Sequence, residues 1–196
     1  EEMLHMPKLL NHALLVVSFL AQISFVISWI GFCIPVYFIC QALKGNVVSN
    51  ILDNNNYQVI SNYAHVSHAA INHFPAYIYT GLMSIGVILV IIASLYELKA
   101  LVKIAVNLNQ KKYFTAENVK LVWLFIVSQL YTLAADLFLA GANQLTRTYL
   151  NRINIGDFSV TWSDIPEDLV ALVIISVIYI LFKMAEQMKR ENELTV

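Results

Sequence analysis

Between Lys8 and Lys44 the chain runs for 35 residues without a Lys, Arg, Asp or Glu. Roughly 20 apolar residues are enough to cross the hydrocarbon core of a bilayer, so this run dictates a membrane helix, placed at about 13–42. It is too long for the core of a signal peptide and no small-residue cleavage pattern follows it, so it reads as a retained span. Pro35 lacks a backbone donor and is expected to kink or end the helix near its far end. The composition agrees: 59% hydrophobic residues, 13% charged and a mean hydropathy of +0.66 argue against a water-soluble domain.

Three further spans follow. Residues 54–96 carry no charge, but the first third is rich in Asn, His and Ser, so the membrane part is placed at about 76–96, with Pro75 at its start. The third, about 121–143, comes after Phe114-Thr115-Ala116-Glu117-Asn118, in which Thr115 suits a helix cap and Glu117 complements the positive end of the helix dipole. The fourth, about 167–185, begins at Pro166 with Glu167 and Asp168 but holds only 14 uncharged residues, Leu169 to Phe182. At 1.5 Å per residue these cover roughly 21 Å of a core about 30 Å thick, so Lys183 is expected to snorkel.

The positive-inside rule orients the chain. Nine of the 12 basic residues fall at the termini or in the connector 97–120, whereas Lys44, Arg147 and Arg152 fall in the other two loops. Both termini and the connector are thereby assigned to the cytoplasm. The expected fold is a single all-α membrane domain of four transmembrane helices, in which outer loops 45–74 and 144–165 form a small extracytoplasmic cap. Trp123 and Trp162 suit an interfacial aromatic belt, while Trp29 lies too deep. An amphipathic helix is expected in the first loop, and the alternation of Phe158-Ser159-Val160-Thr161-Trp162 predicts a short strand or extended piece in the second.

Several polar positions stand out. His65, His68 and His73 cluster in the first outer loop, and the first two share a helical face, as metal ligands do. No acid or cysteine lies close by, which favours ordinary interfacial polar residues over a metal site. On the third span Gln129, Thr132, Asp136 and Asn143 fall on one face. An acid in the membrane should face the bundle interior, either as an ion, proton or ligand site or as inter-helix glue with Ser18, Gln22, Ser24 and Ser28. The absence of a second intramembrane charge favours glue. Cys33 and Cys40, seven residues or about 10 Å apart on a helix, are too distant for a disulfide and read as packing residues, with palmitoylation of Cys40 as the alternative.

No nucleophile elbow, phosphate loop, CxxC or HExxH motif occurs, so neither catalysis nor a cofactor is expected. A net charge of −1 argues against direct nucleic-acid binding. Gly81 and Gly86 are five apart, off the four-residue spacing of close-packed helix dimers, so no oligomeric interface is marked. Glu1 and Glu2 precede Met3, and Met3 or Met6 would serve as a natural start.

The cytoplasmic segments carry a further signal. The second helix should continue past the membrane with Leu98, Leu101, Val102 and Ala105 on one face, then turn between Asn109 and Phe114. The phrase Lys112-Tyr113-Phe114-Thr115-Ala116-Glu117-Asn118-Val119-Lys120 and the terminal Arg190-Glu191-Asn192-Glu193-Leu194-Thr195-Val196 resemble a family of functionally unassigned bacterial four-span membrane proteins, which carry a similar F-x-x-E-N phrase and a comparable terminal L-T-V. Many members are encoded beside an Xre-type helix-turn-helix regulator. The resemblance therefore implies a membrane protein that binds or restrains a cytoplasmic transcription factor. The long first loop with three histidines departs from that pattern.

Four readings follow. The first is a non-enzymatic membrane sensor or sequestering partner: the bilayer and the helix-turn-helix regulator are its partners, and Phe114, Glu117, Asn118, Leu194, Thr195 and Val196 form its docking surface. The second is an immunity or resistance protein against a membrane-active extracellular peptide, or an accessory subunit that binds another membrane protein such as an exporter. A small channel or transporter using Asp136 is the third, and a membrane enzyme the fourth.

Overall fold

A computed structural model describes residues 8–60 and 66–194. Four of its helical segments are long and apolar enough to cross a membrane: His12–Leu43, Ala76–Asn109, Ala116–Leu150 and Ile165–Leu194. This is an all-α membrane protein by helix length and composition.

The first segment is two helices, α1 (Lys8–Ile30) and α2 (Cys33–Leu43), separated by a turn at Gly31 and Phe32. The interruption falls before Pro35 rather than at it. Proline thus lands in the first turn of α2, where backbone N–H groups have no intrahelical partner to lose. At the other end of α2, Gly45 adopts φ 72° and closes the helix, with Gly45 N–H donating to Ala42 O and Asn46 N–H to Gln41 O.

The first long loop forms two short helices rather than one amphipathic helix, α3 (Val47–Asp53) and α4 (His68–His73), with strand β1 (Tyr57–Val59) between them. α3 buries Val47 and Ile51, which share a face at i, i+4. Next come α5 (Ala76–Asn109), α6 (Ala116–Leu150), strand β2 (Arg152–Asn154) and α7 (Ile165–Leu194). β1 and β2 pair antiparallel in the register Tyr57 to Asn154, Gln58 to Ile153 and Val59 to Arg152. Of the short strand or extended piece expected at Phe158–Trp162, no strand forms; the pairing strand lies six residues earlier.

The helices outrun the apolar stretches that mark them, because helical hydrogen bonding needs no apolar side chains once a helix leaves lipid. α7 is the clearest case: its 30 residues give about 45 Å, so the 14 uncharged residues do not limit its span. It buries no side chain, and Val173, Ile174 and Leu181 are more than half exposed, as suits a helix solvated by lipid.

Contacts group the chain into two compact units. One takes the chain up to Ile30, Ile92–Leu130 and the chain from Val170; the other takes Gly31–Ile91 and Tyr131–Leu169. In the first unit α5 and α6 approach over buried Ala93, Ala100, Val122 and Ile126, and the Ser128 hydroxyl donates to Ala93 O at 3.0 Å. The same two helices turn at 110–115, as the sequence predicts. Lys111 ends α5 at φ 61°, with Lys112 N–H donating to Asn107 O, and Thr115 caps α6 by accepting from Asn118 N–H at 3.2 Å. In the second unit α5 and α6 pack at Gly86, where an added Cβ would sit 2.7 Å from the Leu139 side chain and 3.2 Å from Ala135 O.

Two substitutions check these packing arguments by thermal unfolding in detergent. Gly86→Ala should destabilise by about 1–3 kcal/mol through overpacking against Leu139. Lys111→Gly should stabilise by roughly 0.5–1 kcal/mol, because glycine relieves the left-handed backbone that lysine must hold.

Candidate functional site

The second unit gathers polar side chains where the two long loops meet. Asn143, buried near the end of α6, donates through Nδ2 to Phe158 O at 2.7 Å and to Val160 O at 2.8 Å. These carbonyls are bonded to a side-chain amide, which is why the alternating Phe158–Trp162 sequence forms no ladder. Asn143 Oδ1 accepts from Asn154 Nδ2 at 3.2 Å, and Asn154 Oδ1 in turn accepts from Gly156 N–H at 2.9 Å. The buried Thr146 hydroxyl lies within 2.9 Å of Asn143 O and 3.2 Å of Arg152 O. Asn151 turns the chain from α6 into β2 at φ 51°, and its carbonyl accepts from Ile60 N–H.

Beside this junction is a cavity of about 210 Å³, walled by α2, α3, α5 and both loops. Its polar lining is mostly amide and phenol, set among apolar side chains such as Ile34, Val47, Ile51 and Met83. Tyr57 and Tyr79 join hydroxyl to hydroxyl at 2.6 Å, and Asn50 Nδ2 donates to the Tyr37 hydroxyl at 3.1 Å. Burial pushes the Tyr57 phenol above its ordinary value of 10.0, against a smaller opposing effect of the bond to Tyr79. Asp157 is the one carboxylate, and no Lys, Arg or His joins it, among the described residues of the wall. A second cavity of about 300 Å³ shares Asn154 and is bordered by Arg147, Thr161 and Trp162.

The polar face marked on the third span separates into different roles. Gln129 and Thr132 are half-buried, whereas Asp136 and Asn143 are buried. Asp136 does not stand alone, as the sequence implies: its carboxyl lies beside that of Asp168, with Asp164 close enough to act on its charge. Asp168 reads in the sequence as a helix-start residue, so only the packing of α7's first turn on α6 reveals the pair. Asn143 is a loop clamp rather than helix-to-helix glue. Cys33 and Cys40 are free and exposed, so neither packs in a core.

His65 lies outside the described residues; His68 and His73, at the two ends of α4, are exposed. Among the described residues no three His, Cys, Asp or Glu side chains gather as a metal site would require.

Of the residues marked for cytoplasmic docking, Thr195 and Val196 lie outside the described residues, while Phe114, Glu117 and Leu194 are exposed. Phe114 packs against Phe182 with ring centroids 5.8 Å apart, on a shallow groove with Ala185 and Met188 of α7. Connector and tail helix are thus brought together. Asn118 is a correction. It is fully buried, its Nδ2 donating to Lys112 O and Tyr113 O, each at 2.6 Å, while Oδ1 accepts from Asn107 Nδ2 at 2.7 Å. It shapes the turn that presents Phe114 and offers no surface of its own.

No protein-family model, no curated protein and no solved structure matches this chain.

Asn143→Ala should lower unfolding stability by about 2 kcal/mol, since it leaves the Val160 carbonyl without its donor and deprives Asn154 of an acceptor. The folded Tyr57 phenol titrates above its unfolded value, so its contribution is intact below pH 10 and lost as pH rises through the folded value. Tyr57→Phe should accordingly reduce the fall in stability measured above pH 10.

Proposed function

We propose that this chain is a non-enzymatic, multi-pass cell-membrane sensor that couples an extracytoplasmic ligand to a cytoplasmic helix-turn-helix regulator. The observation that carries the reading is the cavity of about 210 Å³ walled by both long loops. Amides and phenols with a single carboxylate are groups that recognise a small solute by hydrogen bonding. The nine-to-three distribution of basic residues supports placing this cavity outside, under a cap formed by loops 45–74 and 144–165, with both termini and the connector inside. Support for the partner comes from the resemblance of the 112–120 and 190–196 segments. The exposed Phe114 beside Ala185 and Met188 supplies an apolar contact of the kind a regulator's helix would cover.

Two experiments test this. In a variant lacking Cys33 and Cys40, a membrane-impermeant maleimide should label Asp157→Cys in intact cells and Lys111→Cys only after permeabilisation; the reverse pattern refutes the orientation. Mild-detergent co-purification from the native cell should recover a small helix-turn-helix protein with the full chain and lose it after Phe114→Ala or deletion of residues 194–196. An exporter or a secreted peptide, unchanged by either alteration, would replace this reading with the immunity or exporter-accessory one.

The Asp136–Asp168 pair favours one alternative, a small channel or transporter, because intramembrane acids mark ion and proton paths. Proton or cation flux into liposomes, abolished by Asp136→Asn, would establish it; no flux removes it.

A further inference from the structure

Resting on the sensor reading above, we infer that the cavity takes a small organic cation, a protonated amine that also carries hydroxyl or amide groups. Charge decides the sign. Among the described residues Asp157 lines the cavity and no Lys, Arg or His does, so an anion would meet a carboxylate and find no counter-charge there. A protonated amine would donate a charge-assisted hydrogen bond to the Asp157 carboxylate. The rings of Tyr37, Phe38, Tyr57 and Phe158 form part of the same wall, and aromatic rings attract cations over their faces.

The hydrogen-bonding groups specify the rest of the ligand. The bond between Tyr57 and Tyr79 uses one of their two phenol protons, leaving the other proton and the free lone pairs for a guest. The Tyr37 hydroxyl accepts from Asn50 and keeps its own proton to donate. Donors and acceptors therefore line one small space, which suits a ligand bearing both. The volume of about 210 Å³ lies below the roughly 300–1,000 Å³ of pockets for drug-sized molecules, so the guest is about the size of a single sugar ring.

Glucosamine, glucose and glucuronate share that size and differ in charge, which makes them the probes. Titration calorimetry at pH 7 on the full chain in detergent should give saturable binding of glucosamine, at least about tenfold tighter than glucose, with none of glucuronate. Asp157→Asn should bring glucosamine to the level of glucose; Asp157 is exposed and outside every helix and strand, so the variant folds. Tyr57→Phe should weaken glucosamine and glucose together. The inference is overturned by glucose binding as tightly as glucosamine, by uptake of glucuronate, by an unchanged preference in Asp157→Asn, or by no saturable binding of any probe. Amine selectivity without a co-purifying regulator would keep this inference and remove the sensor reading, whereas a co-purifying regulator without amine selectivity would remove this inference alone.

Discussion

A buried carbonyl without a donor costs about 1–3 kcal/mol. Where α6 begins and where it ends, this chain meets that constraint with the same device. Asn118 donates to the carbonyls of Lys112 and Tyr113, and Asn143 to those of Phe158 and Val160. In each case a second asparagine completes the arrangement by donating to the first, Asn107 to Asn118 and Asn154 to Asn143. A primary amide suits this role because its two N–H groups fork onto two acceptors while its oxygen still accepts. Aspartate at either position would present a second acceptor to carbonyl oxygens and lose both bonds.

What each pair holds differs. The Asn107–Asn118 pair fixes a turn of six residues, 110–115, and Lys111 accepts a left-handed backbone to make it that short. The result is a rigid connector from which the Phe114 ring projects, 44% exposed, against Phe182. The Asn143–Asn154 pair fixes the second long loop in its own unit, and the three-residue β1–β2 ladder joins the first loop to it. A ladder this short is marginal alone, and buried Thr146 and the Asn151 turn complete its attachment to α6. The amide-lined cavity depends on this, because its wall draws residues from both loops.

The helices were legible because lipid imposes a simple rule: a long apolar run that crosses it must satisfy its own backbone, as a helix does. Pro75, Thr115 and Pro166 mark helix starts by local chemistry, and all three fall within one residue of observed starts at Ala76, Ala116 and Ile165. The loops obey no such rule. Phe158–Trp162 alternates like a strand, but alternation reports which side chains are apolar, not who takes the backbone carbonyls; there a side chain 15 residues earlier takes one of them. Asn118 looks like surface because asparagine usually is, and only its four-fold hydrogen bonding shows that it is buried. Asp168 hides behind its aptness as a helix-start acid, so its proximity to Asp136 is invisible until α6 and α7 are placed.

The cavity was the least legible feature, for a reason that bears on its chemistry. Its wall is assembled from residues up to 124 positions apart, Ile34 to Phe158, and none carries a motif. Catalytic and metal sites announce themselves through few residue types at fixed spacings, because reaction geometry tolerates little variation. A recognition site needs only complementary donors, acceptors and charge, which asparagine, tyrosine and one aspartate supply from any position that folding brings together. The same freedom makes the single carboxylate decisive. Amides and phenols bind a neutral or a charged guest of suitable shape, so the proposed selectivity by charge rests on Asp157, the one carboxylate among the described residues of the wall.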